Sequence, residues 1–361
     1  MRILVALSGG IDSSVVAHLL KEQGHDLTAV RFTLWSDPLA PALAQILPSK
    51  CCNAQTAARA KKVAEDLNIR YHILNLEEEF KREVVDPFLQ GYAEGKTPNP
   101  CIRCNRTIKF GRLLDFMEEL QCEKLATGHY ARVCKKMKRN EQSHHLFTAI
   151  DQSKDQSYYL YGLSQEQLSK VLFPLGDMYK NDVYELAKKF GVPYDDKSYR
   201  ESQDLCFFPE KTPQEFLKRH LHLKKGNIVD RDGTVLGEHK GLPLYTLGQR
   251  RGVGVGGMKI PLEVTEKRMD TNQLVIEKQG KTMIDSLHLQ GLNWISEKPD
   301  ENREIPLQAC LRSLSHYVTG NLIVKGDTGT FSFDQPQGLQ APGQHCVFYR
   351  DDEVLGGGII Q

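Results

Sequence analysis

No run of about 18 consecutive apolar residues occurs in this chain, so the sequence offers no membrane-spanning helix. It has almost no net charge: 47 Lys and Arg stand against 46 Asp and Glu, leaving +1. That excludes a protein basic overall, so any nucleic-acid surface must be local and offset by acidic runs such as Glu77-Glu78-Glu79. No internal repeat and no extended low-complexity tract appears, which excludes a solenoid. A leader pattern is also missing. Arg2-Ile3-Leu4-Val5-Ala6-Leu7 already reads as a core strand, and a cytoplasmic protein is expected. What remains is ordinary for a globular chain of two or three domains: 361 residues, 40% hydrophobic and 26% charged. Nine cysteines in such a length do not make a small secreted disulfide scaffold. They are expected as thiols, metal ligands or catalytic groups.

The most informative segment comes directly after the first strand. Ser8-Gly9-Gly10-Ile11-Asp12-Ser13-Ser14 reads as a Gly-rich turn opening a helix, whose N-terminal N–H groups and dipole favour an anion. The alternative is a Gly turn before an ordinary helix. The spacing is neither the P-loop with its Lys-Ser/Thr end nor GxGxxG. It resembles the SGGxDS loop of the ATP pyrophosphatases, which implies that residues 6–13 hold ATP phosphates while an acceptor is adenylated. Further strands are expected at Leu27–Phe32, Tyr71–Leu76 and Lys124–Thr127, with a helix over 54–67. Such βα units predict an α/β fold: a parallel sheet with helices on both faces and ligands beyond the strands' carboxyl ends.

Two segments break the pattern, 36–53 and 95–105. The second, with two prolines and two cysteines, cannot lie mid-helix and is expected as a functional loop. From about 209 the chain turns rich in Gly, Pro and basic residues. From about 269 short alternating runs, Gln273–Glu277 among them, predict a small β-barrel. The expected domains are therefore a catalytic domain at 1–208, a central domain at 209–268 and a C-terminal β-barrel at 269–361.

Cys101 and Cys104 form a C-x-x-C pair, and Cys206 lies in Ser202-Gln203-Asp204-Leu205-Cys206-Phe207-Phe208. The pair alone fits a redox couple or half of a zinc site, for which Cys51-Cys52 would be an awkward second half. Cys122, Cys134, Cys310 and Cys346 read as small buried hydrophobes.

Several blocks together carry a closer resemblance. Beside the loop at 8–14 stand Thr97-Pro98-Asn99-Pro100 with Cys104-Asn105, Ile108-Lys109-Phe110-Gly111, Ala126-Thr127-Gly128-His129-Tyr130-Ala131-Arg132 and Lys154-Asp155-Gln156-Ser157-Tyr158-Tyr159-Leu160. Farther along come Ser202-Gln203-Asp204, Tyr245-Thr246-Leu247-Gly248-Gln249-Arg250-Arg251-Gly252 and Leu355-Gly356-Gly357-Gly358-Ile359-Ile360. In this order they resemble the bacterial tRNA-specific 2-thiouridylases, adenine-nucleotide alpha-hydrolase-like (PP-loop) enzymes, over nearly the whole length. The resemblance implies ATP-dependent 2-thiolation of a wobble uridine, with uridine O2 adenylated and pyrophosphate released. Ala6, Leu7, Ser8, Gly9, Gly10, Ile11, Asp12 and Ser13 would hold ATP with Mg²⁺, and Phe32 and Gly128 the adenosine. Cys206 would carry sulfur as a persulfide from a sulfur-relay protein or cysteine desulfurase. Cys104 would attack, leaving a Cys104–Cys206 disulfide. Asn99, Pro100 and Cys101 would line a flipped base. Lys154, Asp155, Gln156, Arg312 and Ser313 would contact tRNA, although relatives often carry Arg-Tyr where this chain has Arg312-Ser313. A monomer is expected.

Cys101 departs from the family, where Asp is common. Three cysteines would suit a [4Fe-4S] cluster on Cys101, Cys104 and Cys206, an alternative source of sulfide. Lys135, Lys136, Lys138 and Arg139 read as a solvated hairpin tip or a phosphate contact, and Arg250 and Arg251 as better RNA candidates. His129 is a structural hydrogen-bonding group or a proton shuttle. Asp12 approaches Mg²⁺ or braces the loop through its N–H groups. Two other readings stay open: an amidating ATP pyrophosphatase, and a non-catalytic RNA-binding protein with a zinc-stabilised loop.

Overall fold

A computed structural model describes residues 1–41, 54–138, 141–193, 205–210, 212–255 and 261–361. Cys51-Cys52, Ser202-Gln203-Asp204 and Arg139 lie outside the described residues. The first sheet holds β1 (Arg2–Ala6), β2 (Asp26–Thr33), β3 (Arg70–Asn75), β4 (Lys124–Ala126) and β7 (Val171–Leu172), in the order β3-β2-β1-β4-β7. Every pairing is parallel. Side chains alternate across a strand, and here both faces are apolar, so helices must cover both. Ile3 and Val5 pack with Val15, Val16 and Leu20 of α1 (Ile11–Glu22), with Ala60, Val63 and Ala64 of α2 (Ala54–Asp66), and with Val183 beyond. Leu4 and Val30 point the other way, onto Leu113, Leu114 and Met117.

Residues 77–93 form one helical run. It comprises α3 (Glu77–Phe80), a π-helical turn at Lys81–Val85, and α4 (Asp86–Ala93). The segment 95–105 is only half a loop. It becomes helical at α5 (Pro100–Cys104) and continues through π-helical Asn105–Arg112 into α6 (Leu113–Glu119). The expectation of a loop throughout overlooked that proline is tolerated in a helix's first turn, where its missing N–H would have no partner. Asn99 caps that helix, accepting the Cys101 N–H at 3.1 Å.

Two further sheets complete the fold. β8 (Gly226–Val229), β9 (Val235–His239), β10 (Leu262–Arg268) and β11 (Gln273–Lys278) make a four-stranded sheet ordered β10-β11-β8-β9. The run Gln273–Glu277, expected in the barrel, thus belongs to the central sheet. The short turn at 269–272 returns it antiparallel onto β10. The barrel closes from β12 (Met283–Trp294), β13 (Ile305–Cys310), β14 (Val318–Lys325), β15 (Thr328–Gly338), β16 (His345–Arg350) and β17 (Glu353–Ile360), with β12 pairing β17. Leu287, Leu322, Phe331 and Phe348 fill its interior.

The hairpin β5 (Arg132–Lys138) and β6 (Glu141–Phe147) leaves the first domain and adds to β17 through Glu353↔Phe147 and Val354↔Leu146. The remaining helices are α7 (Gln165–Lys170), α8 (Lys180–Lys189) and α9 (Gln214–His220). Among the described residues no helix is long and apolar enough to cross a membrane.

Candidate active site

Because β1 lies between β2 and β4, the carboxyl ends of β1 and β4 flank the crevice where such sheets bind ligands. The Gly-rich loop and Gly128 stand on its two sides. Gly9 has φ +81°, and a Cβ there would lie 1.9 Å from the Thr56 carbonyl oxygen, so only glycine fits. A Cβ on Gly128 would meet Asp12 Cβ at 3.0 Å and the Ser13 nitrogen at 3.1 Å. The loop's hydroxyls hold its shape. Ser13 Oγ accepts the Ser8 N–H at 3.2 Å and donates to the Gly10 carbonyl at 3.1 Å, which also accepts Ser14 Oγ at 2.9 Å. Buried Arg31 donates to the Ser8 carbonyl at 2.8 Å and to Thr56 Oγ1 at 3.2 Å.

The side-chain bonds of Asp12 go to residues outside the loop rather than to the loop's own N–H groups. Its Oδ1 accepts Lys180 Nζ at 2.5 Å and the Tyr130 hydroxyl at 3.0 Å. Lys180, only 5% exposed, also lies 5.0 Å from the ring of Tyr184. Beside it opens a cavity of about 580 Å³ lined by Asp151, Lys154, Tyr179 and Asn181 among others. His129 sits between Lys109 and Thr127. Burial and the nearby Lys109 ammonium hold its pKa well below the ordinary range. Lys109 Nζ lies 3.5 Å from Nε2 and Thr127 Oγ1 2.7 Å from Nδ1. Lys can only donate, so the Nδ1 proton faces Thr127.

The cysteines occupy an apolar wall next to this crevice. Cys104 is buried in a cluster with Phe80, Val84, Phe88, Phe207 and Phe216, and Cys206 packs on the same cluster, partly exposed. Leu34 and Leu76, which lie just past β2 and β3, belong to it, and Phe32 lies against it. The wall therefore stands at the carboxyl edge of the sheet, on the side of the Gly-rich loop. Burial raises the pKa of the Tyr159 hydroxyl, and Ser313 of the barrel and Cys101 lie close enough to act on it. Asn105, buried behind Cys104, donates to the Tyr159 carbonyl at 3.0 Å and leaves its Oδ1 without a partner. Among the described residues no three His, Cys, Asp or Glu side chains converge as metal ligands, so Cys101, Cys104 and Cys206 do not form a ready cluster site.

The expected RNA contacts separate. Arg312 is exposed on a barrel loop with Ser313 beside it. Lys154 lines the cavity beside Lys180. Asp155 is turned inward: its carboxylate accepts the Ala149 N–H at 2.9 Å and the Ser157 hydroxyl at 2.7 Å, and burial raises its pKa. Gln156 Oε1 holds the Tyr130 N–H at 3.1 Å, which ties it to the Tyr130–Asp12 contact. Lys135 and Lys136 are exposed on β5, and Lys136 pairs with Glu353 at 2.8 Å. Arg250 lies 3.6 Å from Glu263, and Arg251 is exposed. Sequence reasoning missed Arg31, Tyr130 and Lys180. For Tyr130 the signal was its place two residues after Gly128; the other two carry none locally.

Comparison with known proteins agrees with this layout. Residues 1–210 match the model of the tRNA methyl transferase HUP domain, 214–278 that of the tRNA methyl transferase PRC-barrel domain, and 284–360 that of the aminomethyltransferase beta-barrel domain. The chain is 42% identical to the tRNA-specific 2-thiouridylase MnmA of Carboxydothermus hydrogenoformans, over all of this chain and 97% of that protein. It is 40% identical to the protein of that name from Geobacter metallireducens, over 99% of this chain and 96% of the relative. With a family model matched over residues 1–210 and identity at this level from end to end, the chain belongs to the tRNA-specific 2-thiouridylase family.

Proposed function

We propose that this protein is an ATP-dependent tRNA-uridine 2-sulfurtransferase, a cytoplasmic enzyme that takes sulfur from a persulfide donor through Cys206. The observation that carries the reading is that Cys104, buried, and Cys206, partly exposed, pack on one apolar wall at the carboxyl edge of the sheet. The uridine carbonyl O2 is a poor leaving group. Its attack on the α-phosphorus of ATP expels pyrophosphate and leaves O2 bonded to AMP. Such a step needs positioning and charge neutralisation more than covalent help. The loop of residues 6–13 and the start of α1 bind the phosphates. Phe32 and Gly128 flank the adenosine. Asp12 is the loop's single carboxylate and already pairs with Lys180; Mg²⁺ would bind chiefly through the oxygens of ATP.

Sulfur then moves with its electrons accounted for. The Cys206 thiol takes the terminal sulfur of a donor persulfide, and the donor leaves as a thiol. The new persulfide attacks C2, the C2–O bond breaks and AMP departs. The Cys104 thiolate attacks Cys206 Sγ, so the sulfur stays on C2 and a Cys104–Cys206 disulfide forms. A dithiol reductant resets it. The apolar wall keeps water from the persulfide and from the adenylated base. Asn99, Pro100, Cys101, Arg312 and Ser313 contact the tRNA, with the base out of its stack. Lys154 and Gln156 complete that contact, while Asp155 acts from inside by fixing their turn.

The test is a tRNA transcript incubated with ATP, a persulfide donor and reductant, read by mass spectrometry for 2-thiouridine and by release of AMP. We expect one AMP per thiolated uridine, and loss of 2-thiouridine in Cys104→Ser and in Cys206→Ser with ATP and tRNA binding kept. Full activity in either variant defeats the sulfur-transfer assignment. Anaerobic purification that yields about four irons per chain, with activity lost on their removal, overturns the persulfide route in favour of a cluster.

A further inference from the structure

Thr97 is held from outside its own domain at every polar atom. Its N–H donates to the Pro342 carbonyl at 2.7 Å, and its carbonyl accepts Gln344 Nε2 at 2.6 Å. Both partners come from the turn that opens β16 of the barrel. Its hydroxyl donates to Thr246 Oγ1 of the central domain at 3.2 Å. Two residues earlier the Gly95 carbonyl accepts Lys267 Nζ at 2.9 Å, again from the central domain. Lys267 is enclosed at this contact, and burial pushes its pKa down to about 8.

The backbone from Pro98 to Pro100 is stiff. Both prolines fix φ, and each restricts the residue before it, so Thr97 and Asn99 lose freedom too. Asn99 caps α5, which bears Cys101 and Cys104. A displacement at Thr97 therefore reaches both cysteines with little slack between.

We propose that Thr97 is the junction through which the central domain and the barrel set the position of α5, and that Gln344 and Thr246 are positioning residues for sulfur transfer. The inference rests on the role given to Cys104 under the proposed function. An RNA that shifts either accessory domain acts on the α5 backbone through this residue, alongside the apolar packing of the central domain on the Cys104 cluster. The loop after β1, which is assigned the ATP phosphates, makes none of the Thr97 contacts, so ATP binding does not depend on them.

The experiment uses the full chain with a tRNA transcript, ATP, a persulfide donor and reductant, measuring AMP and 2-thiouridine in the same reaction. Gln344→Ala and Thr97→Val are expected to keep the normal KM for ATP and to continue releasing AMP. Their yield of 2-thiouridine per AMP falls by about tenfold, the equivalent of about 1.4 kcal/mol of lost positioning. Thr97→Ser, which keeps the hydroxyl, restores the ratio. A normal ratio in both variants, or an equal loss of AMP release and thiolation, overturns the proposal. If Gln344→Ala proves unstable on heating, the near-isosteric Thr97→Val against Thr97→Ser decides alone. Absence of 2-thiouridine with the unaltered enzyme would instead defeat the functional reading.

Discussion

Asp12 lies between two donors that the chain delivers from far along its length, Tyr130 and Lys180. A lysine so enclosed needs a counter-charge, because an unpaired buried ammonium costs several kcal/mol. The carboxylate is partly open to solvent, which screens the pair and limits its strength. We expect Lys180→Met and Asp12→Asn each to lower the melting temperature, and the double variant to lose less than the sum. The coupling should be about 1 kcal/mol in a double-mutant cycle read by thermal denaturation; additive losses would show that the two side chains act independently. Nothing near Lys180 in the sequence announces this role. It opens a charged helix beside Asn181 and Asp182, and only the pairing of α1 with α8 brings it to the loop. Asp155 misled for the opposite reason: it sits in a motif that reads as RNA contact, yet its carboxylate is consumed by Ala149 and Ser157. A side chain's direction depends on packing that a motif does not record.

The strand, loop and helix at residues 2–22 were legible because their signals are local: an apolar strand, two glycines, small hydroxyl residues, then a helical stripe. The geometry adds why the first glycine cannot vary. Alanine at Gly9 would carry about 1–2 kcal/mol of left-handed strain. It would also drive its Cβ into the Thr56 carbonyl, whose backbone is fixed within α2. Gly9→Ala should therefore cut tRNA-dependent AMP release by at least about tenfold, beyond the strain term alone. Gly24→Ala, also at positive φ but with open space around the new Cβ, serves as the control and should lose little. Equal activity in the two variants would mean that the close approach to Thr56 is unimportant. The helix α5 was less legible. Two prolines separated by one residue argue against helix unless the second is recognised as its first residue, and that depends on Asn99 adopting the cap.

At the scale of the molecule the three modules are fastened by exchanged pieces rather than by linkers. The hairpin β5–β6 of the catalytic domain extends the barrel sheet, and the turn at 342–344 of the barrel holds Thr97. Such long-range pairings leave no trace in local sequence pattern, so the fastening of the modules was not readable from it. His345 stands at the same seam. Its Nδ1 lies 2.6 Å from the Tyr161 hydroxyl, and its carbonyl accepts the Tyr158 hydroxyl at 3.0 Å. Burial pushes the His345 pKa down from 6.5 to about 4, so Tyr161 donates to a neutral ring. Tyr161, Tyr158 and the neighbouring Cys346 have raised pKa values and stay neutral across the acid range. Above about pH 6.5 neither the folded nor the unfolded chain holds a proton on this ring, and its contribution is complete. As pH falls from about 6.5 to 4 the unfolded chain binds the proton and the folded chain does not, so stability is lost progressively, up to about 3 kcal/mol. His345→Gln can still accept from Tyr161 but cannot titrate. Its melting temperature should therefore fall less steeply than that of the unaltered protein between pH 6.5 and 4, and the two should run parallel from pH 7 to 8. His18, His129 and His144, also lowered by burial, give both proteins a shared acid sensitivity, so the difference between the curves isolates His345. Identical slopes would mean that the seam between barrel and catalytic domain opens before His345 takes up its proton.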